Sequence, residues 1–134
     1  MIGLNNYFNI RKGSKWVGSI GSTRGFVDFE HAEYCVRAAW IIIAMTYRRK
    51  GILSIAEIID TYAPPSENDT DKYITFVCSH MSCFPFDICN SIHDYVMLLH
   101  YISWFEVGKE NALSADFIFN VVIKFKLEPY KLKK

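Results

Sequence analysis

Fourteen consecutive residues, Tyr34 to Tyr47 (YCVRAAWIIIAMTY), present no polar face, because only Arg37 and Thr46 interrupt them. A helix that is apolar all round is a buried one. This stretch is too short for a bilayer, which needs roughly 18 or more apolar residues. The chain is therefore expected to pack around a central helix from His31 to Lys50, with no membrane insertion. Arg48, Arg49 and Lys50 complement the negative end of its dipole, and Gly51 supplies the stop.

The segments that follow read as further helices. Ser54 with Glu57 three residues on forms a capping box, and Ile55, Ile58, Ile59 and Tyr62 fall on one face until Pro64 and Pro65 end the helix. A third helix is expected from Thr70 to Ser82 with Tyr73, Phe76 and Val77 inward, and Glu67, Asp69 and Asp71 read as charges that cap it. Phe84 to Asp87 is a turn. Ser91 with Asp94 opens a fourth helix, whose Ile92, Tyr95, Val96, Leu99 and Ile102 recur at helical spacing up to Gly108. Between Ser114 and Leu127 the residues Phe117, Val121 and Lys124 suit a helix, while Phe119 to Phe125 has the β-branched content of a strand. The helix is preferred because four others precede it.

Met1 to Glu30 has glycines instead of helical periodicity, so loops are expected there, with short strands near Lys15–Val17 and Gly25–Phe29. Its aromatics, Tyr7, Phe8, Trp16, Phe26 and Phe29, mark it as folded, since a disordered leader would not carry so many large apolar groups. The expected fold is thus mostly α, about five helices with an N-terminal loop or short β-hairpin. A length of 134 residues suits one domain spanning 1–134.

Several function classes are disfavoured. A net charge of +1 gives no field that would hold a nucleic acid. Lys131, Lys133 and Lys134 read as a solvated tail. No nucleotide loop, serine elbow or paired metal-binding histidine motif occurs, so neither cofactor nor metal is expected. Cys78, His80, Cys83, Cys89 and His93 lack the paired short spacings of structural zinc, and with Cys35 inside the central helix the thiols read as reduced and buried. A cysteine-dependent amidase is disfavoured because no thiol stands at an evident helix N-terminus with a histidine fixed beside it. Met1 to Phe8 shows no charged region followed by an apolar one. Synthesis in the cytoplasm without a signal peptide is expected, with delivery to a cell wall, or carriage in a virion, by other means.

What remains is carboxylates set among aromatics and asparagines, the equipment of a site that grips and hydrolyses sugars. Glycoside hydrolysis needs a carboxylic acid to protonate the leaving oxygen, often with a second carboxylate or a positioned water on the other face. Glu106, in Trp104-Phe105-Glu106-Val107-Gly108 at the end of an apolar helix, is the candidate acid. The plainer reading is a solvated residue in a last helical turn.

Four motifs in order then carry a resemblance: Asn5-Asn6-Tyr7-Phe8-Asn9-Ile10-Arg11, Trp16-Val17-Gly18, Phe26-Val27-Asp28-Phe29, and Tyr62-Ala63 followed by Asn68-Asp69-Thr70-Asp71-Lys72-Tyr73. From Asn5 to Val77 the chain resembles the segment that follows the catalytic glutamate in flagellar-type peptidoglycan glucosaminidases. It looks closer still to small phage- and mobile-element-encoded proteins, often labelled virion structural proteins, that share Asn-Pro-x-Asn-Ile-Arg and Ala-Pro-Pro-x-Glu-Asn-Asp-Thr. Tyr7 stands where those proteins have proline, and Cys35 where they have glycine. In the glucosaminidases the catalytic helix precedes the asparagine motif, whereas here Phe105-Glu106-Val107-Gly108 closes a helix near the other end, as a circular permutation of a lysozyme-like domain would place it. The resemblance implies a peptidoglycan glycan-strand hydrolase, or a non-catalytic wall- or protein-binding component of a phage or secretion assembly. Glu106 would be the general acid and Asp28 or Glu30 the second carboxylate. Tyr73 would line the cleft, and Asn6, Asn9 and Trp16 would contact sugar or shape the site.

Overall fold

The computed structural model describes residues 1–131, so Lys133 and Lys134 lie outside the described residues. About half of the chain is helical. In order it forms a two-stranded antiparallel sheet, β1 (Ser19–Thr23) and β2 (Phe26–Phe29), then five helices: α1 (Ala32–Trp40), α2 (Ile55–Tyr62), α3 (Thr70–Met81), α4 (Ile92–Val107) and α5 (Ala115–Lys124). The mostly helical class with an N-terminal hairpin agrees with the sequence reading. Among the described residues no helix is long and apolar enough to cross a membrane.

The apolar run is the centre of the packing. Cys35, Val36, Ala38, Ala39 and Trp40 of α1 are buried, as are Ile43 and Ala44 beyond it. From Ile41 to Tyr47 the helix widens into π-helical turns, a departure from the uninterrupted α-helix expected over His31 to Lys50. α1 packs on β2, α4 and α5, and Lys124 of α5 pairs with Glu33 at 2.8 Å. Gly51 adopts φ +80, the left-handed conformation that ends the rod, with its N–H donating to the Arg48 carbonyl.

The helix starts follow their caps. Ser54 and Glu57 complete the expected box, Asp69 accepts from the Lys72 N–H, and Ser91 and Ser114 accept from the N–H groups of Asp94 and Phe117. Each side chain satisfies a donor that the first helical turn leaves free. In α5 the buried side chains are Ile118, Val121 and Val122. The helical alternative for that segment therefore holds, on a face rotated from the Phe117–Val121–Lys124 spacing.

The first strand differs from expectation. It runs over Ser19–Thr23, not Lys15–Val17, after a turn in which the Ser19 N–H donates to the Trp16 carbonyl. Every residue of β1 is solvent-exposed, so no alternation of apolar and polar positions could reveal it. Val27 and Phe29 of β2 are buried and join the hairpin to the core. Gly18, at φ +81, lies so close to Tyr34 that an added Cβ would come within 2.2 Å of that ring. This close approach seats the hairpin on α1.

Candidate functional site

The loop before the hairpin is built from the inside by Asn6. Its side chain is fully buried: Nδ2 donates to the carbonyls of Ile10 and Val27 at 2.9 Å, and Oδ1 accepts from the Ile10 N–H at 2.9 Å. One amide thus closes the Asn6–Ile10 turn and fastens it to β2. Asn6 shapes the loop and offers nothing to a ligand. Further pairing along β2, from the Val27 N–H to Ile10 and from the Lys12 N–H to Gly25, holds residues 10–12 as a near-strand.

That loop meets the end of α4. Asn9, 97 positions from Glu106 in sequence, donates through Nδ2 to Glu106 Oε1 at 2.9 Å. The Tyr73 hydroxyl, from α3, donates to Glu106 Oε2 at 2.7 Å. Both carboxylate oxygens therefore have a donor, one from the N-terminal loop and one from α3. Asn9 takes φ +49, a left-handed conformation that asparagine tolerates better than most residues, and its own Oδ1 is buried with no hydrogen-bond partner among the described residues. Orienting its N–H toward the carboxylate thus leaves an acceptor unpaired, a cost of about 1–3 kcal/mol offset by the bonds to Glu106.

Aromatic packing fixes the same corner. Tyr73 is fully buried and stacks on Phe105 with ring centroids 3.8 Å apart. Burial, and then the negative charge of Glu106, hold the Tyr73 hydroxyl far above its ordinary pKa, so it remains an O–H donor. Tyr62 is raised for the same two reasons in the same order, and its hydroxyl donates to the Phe8 carbonyl. One neutral phenol thus bonds the carboxylate and a second lies within reach of its charge.

Glu106 lines a cleft of about 500 Å³. One side is the loop from Asn9 to Trp16, and the rest comes from Phe26, the π-helical segment through Ile42 and Tyr47, and the α2–α3 connection from Thr61 to Asn68. The widened turns of the central helix therefore coincide with the cleft wall. Glu67 is the second carboxylate in the lining, where its Oε1 lies 3.6 Å from Arg11 Nη2.

The structure brings Glu106, Asn9, Tyr73 and Trp16 to this region, with Tyr73 beneath the carboxylate and Trp16 in the wall. It does not bring Asp28 or Glu30, which are absent from the lining. Asp28 accepts from the Leu4 N–H at 2.7 Å and from the Thr23 hydroxyl at 2.9 Å, acting as a brace inside the hairpin. Glu30 is exposed, 3.9 Å from His31. The sequence reading took Glu67 for a capping charge, and only its Ala63–Asn68 neighbourhood, shared with the resemblance, pointed toward the site.

In the 78–93 region Cys78 and Cys89 are buried, and His80 packs on aromatic rings. His80 Nδ1 lies 2.8 Å from the Phe76 carbonyl, with its ring against Trp104 and Tyr101. Among the described residues no three His, Cys, Asp or Glu side chains converge as a metal-binding group. Burial pushes the thiols of Cys35, Cys78 and Cys89 up to about 12.

No family model matches the chain. It is similar to Protein P5 of Pseudoalteromonas phage PM2, 35% identical over 81 residues that cover 56% of this chain and 51% of that protein. The chain thus spans about half the length of this curated relative, and a likeness to a phage protein is established at that level.

Proposed function

We propose that residues 1–134 form one lysozyme-like domain that cleaves the glycan strands of peptidoglycan, with Glu106 as the general acid. The observation that carries this reading is the Glu106 carboxyl gripped by Asn9 and Tyr73 in the lining of a cleft large enough for sugar rings. In its protonated form Glu106 gives its proton to the glycosidic oxygen as the bond to the anomeric carbon breaks. Asn9 and Tyr73 hold the carboxyl in one orientation, so that little reorganisation accompanies proton transfer. Trp16, Phe26, Tyr47 and Tyr62 supply apolar faces and Asn68 a polar edge, a combination suited to sugars. No cofactor enters this scheme.

The decisive experiment incubates the purified protein with peptidoglycan and analyses the released fragments. New reducing ends from the wild type but not from Glu106→Gln are expected, and their absence at every pH from about 4 to 8 would refute the reading.

A second reading takes the same two hydrogen bonds the other way. Both Glu106 oxygens already have donors within the protein, which also suits a structural clamp. The protein would then be a non-catalytic component of a phage particle or secretion assembly that binds wall or another protein, a role compatible with its likeness to a phage protein. Equal wall binding by wild type and Glu106→Gln, without cleavage by either, would favour it.

A further inference from the structure

Among the described residues, the cleft is lined by two carboxylates, Glu106 and Glu67. They reach it from distant parts of the chain, one from the end of α4 and the other from the α2–α3 connection, yet both meet side chains carried by one short segment. Asn9 donates to Glu106 at 2.9 Å, and Arg11 lies 3.6 Å from Glu67. Residues two apart have Cα atoms no more than about 7 Å from each other. Ile10, between them, is buried and fixes the segment.

This piece of chain is rigid for stated reasons. It pairs with β2 through the Val27 N–H to Ile10 and the Lys12 N–H to Gly25 bonds, and the Arg11 guanidinium sits over the Phe26 ring at 4.9 Å. Glu67 is equally constrained in its backbone, since its N–H and that of Asn68 both donate to the Pro64 carbonyl. An exposed ion pair contributes little to stability. Its consequence here is positional: a guanidinium seated over an aromatic ring lies beside the Glu67 carboxylate in the cleft wall.

We propose that Glu67 is the second catalytic carboxylate of this cleft, the base that activates water, in the place the sequence reading gave to Asp28 or Glu30. The inference rests on the glycan-cleavage reading of Glu106. In the reaction Glu106 transfers its proton to the leaving glycosidic oxygen as the bond from that oxygen to the anomeric carbon breaks. A water oxygen bonds to the anomeric carbon while one of its protons passes to the Glu67 carboxylate. One water is consumed, Glu106 ends as the anion and Glu67 as the acid, and proton exchange with solvent restores both. Arg11 is a positioning residue for Glu67, as Asn9 is for Glu106.

The test uses the full chain, purified peptidoglycan and the variants Glu67→Ala, Arg11→Ala and Glu106→Gln, with sodium azide as an external nucleophile. Glu67→Ala is expected to keep the wild-type melting temperature and to lose cleavage by about 10²- to 10⁴-fold, the usual contribution of a general base. Azide is expected to restore part of that loss and to yield a glycosyl azide detectable by mass spectrometry. It should not restore Glu106→Gln. Arg11→Ala is expected to lower activity less, through kcat with KM unchanged. Glu67→Ala within threefold of wild type while Glu106→Gln is dead would overturn this proposal alone, as would a loss that azide does not convert into glycosyl azide. A wild type that releases no fragments would overturn both this proposal and the reading on which it rests.

Discussion

The Tyr73 hydroxyl donates to Glu106 Oε2 at 2.7 Å from within the core, while its ring stacks on Phe105, the residue that precedes that glutamate. One side chain therefore fixes both the position of the α4 end and the orientation of its carboxylate. Tyr73→Phe retains the stack and removes the donor. A hydrogen bond to a charged group is worth about 1.5–3 kcal/mol, so a loss of that size is expected in urea unfolding. Glycan cleavage, if Glu106 performs it, is expected to fall by about one to two orders of magnitude with no defect in wall binding. A variant as stable and as active as wild type would show that the contact orients nothing.

The elements of this fold were legible wherever a local signal specified them. Ser54, Asp69, Ser91 and Ser114 are caps whose side chains can be read directly, and the apolar faces behind them have one period. β1 was misplaced because an exposed strand has no face to declare. The site divides the same way. Asn9, Tyr73 and Glu106 were all singled out, but their meeting depends on α4 ending over the N-terminal loop, which no local pattern encodes. Asp28 and Glu30 looked suitable because they lie beside aromatics in sequence. In space Asp28 turns into the hairpin and Glu30 outward, whereas Glu67 enters the cleft through a pairing with Arg11 that spans two loops.

The Ser54–Glu57 box carries a pH dependence. Hydrogen bonds from the Ser54 hydroxyl, then from backbone N–H groups, hold the Glu57 carboxyl below its ordinary value of 4.5. A depressed folded-state value means stability that is present above the unfolded pKa and lost as pH falls through the folded one. Ser54→Ala removes the side-chain half of that box and is expected to lower the melting temperature at pH 7. The gap between variant and wild type should narrow as pH drops below 4.5. Thermal melts of both proteins from pH 3 to 7 check this, and a constant gap would assign the whole effect to the uncharged half of the box.

Thiol chemistry offers a separate test of the packing. With pKa values near 12, Cys35, Cys78 and Cys89 carry at pH 8 on the order of 10³ less thiolate than an ordinary cysteine of pKa about 8.5. Cys83 is raised as well, again chiefly by burial, but it is half-exposed. Native protein treated with iodoacetamide at pH 8 is expected to take one label rapidly, at Cys83, and the remaining three only after unfolding. The cleavage proposed for Glu106 should survive that first label. Loss of activity on labelling would return the cysteine-dependent amidase to consideration.

Arg48 tests how the far end of the chain is fastened. Its Nε donates to the Tyr130 carbonyl at 2.7 Å, Nη1 to the Cys89 carbonyl at 2.9 Å and Nη2 to Asn90 Oδ1 at 2.9 Å. The expected role of complementing the helix dipole is thus joined by a larger one, tying the central helix, the segment before α4 and the C-terminal stretch together. A lysine has one charged nitrogen and cannot reproduce the fork. Arg48→Lys is expected to cost about 1–2 kcal/mol, since part-buried carbonyls lose their donors. The loss should be local before it is global: hydrogen exchange at the Tyr130 N–H, which donates to the Ala44 carbonyl at 2.9 Å, is expected to accelerate more than exchange in α2 or α3. Uniform acceleration across the molecule would mean that Arg48 supports the whole core and not this junction.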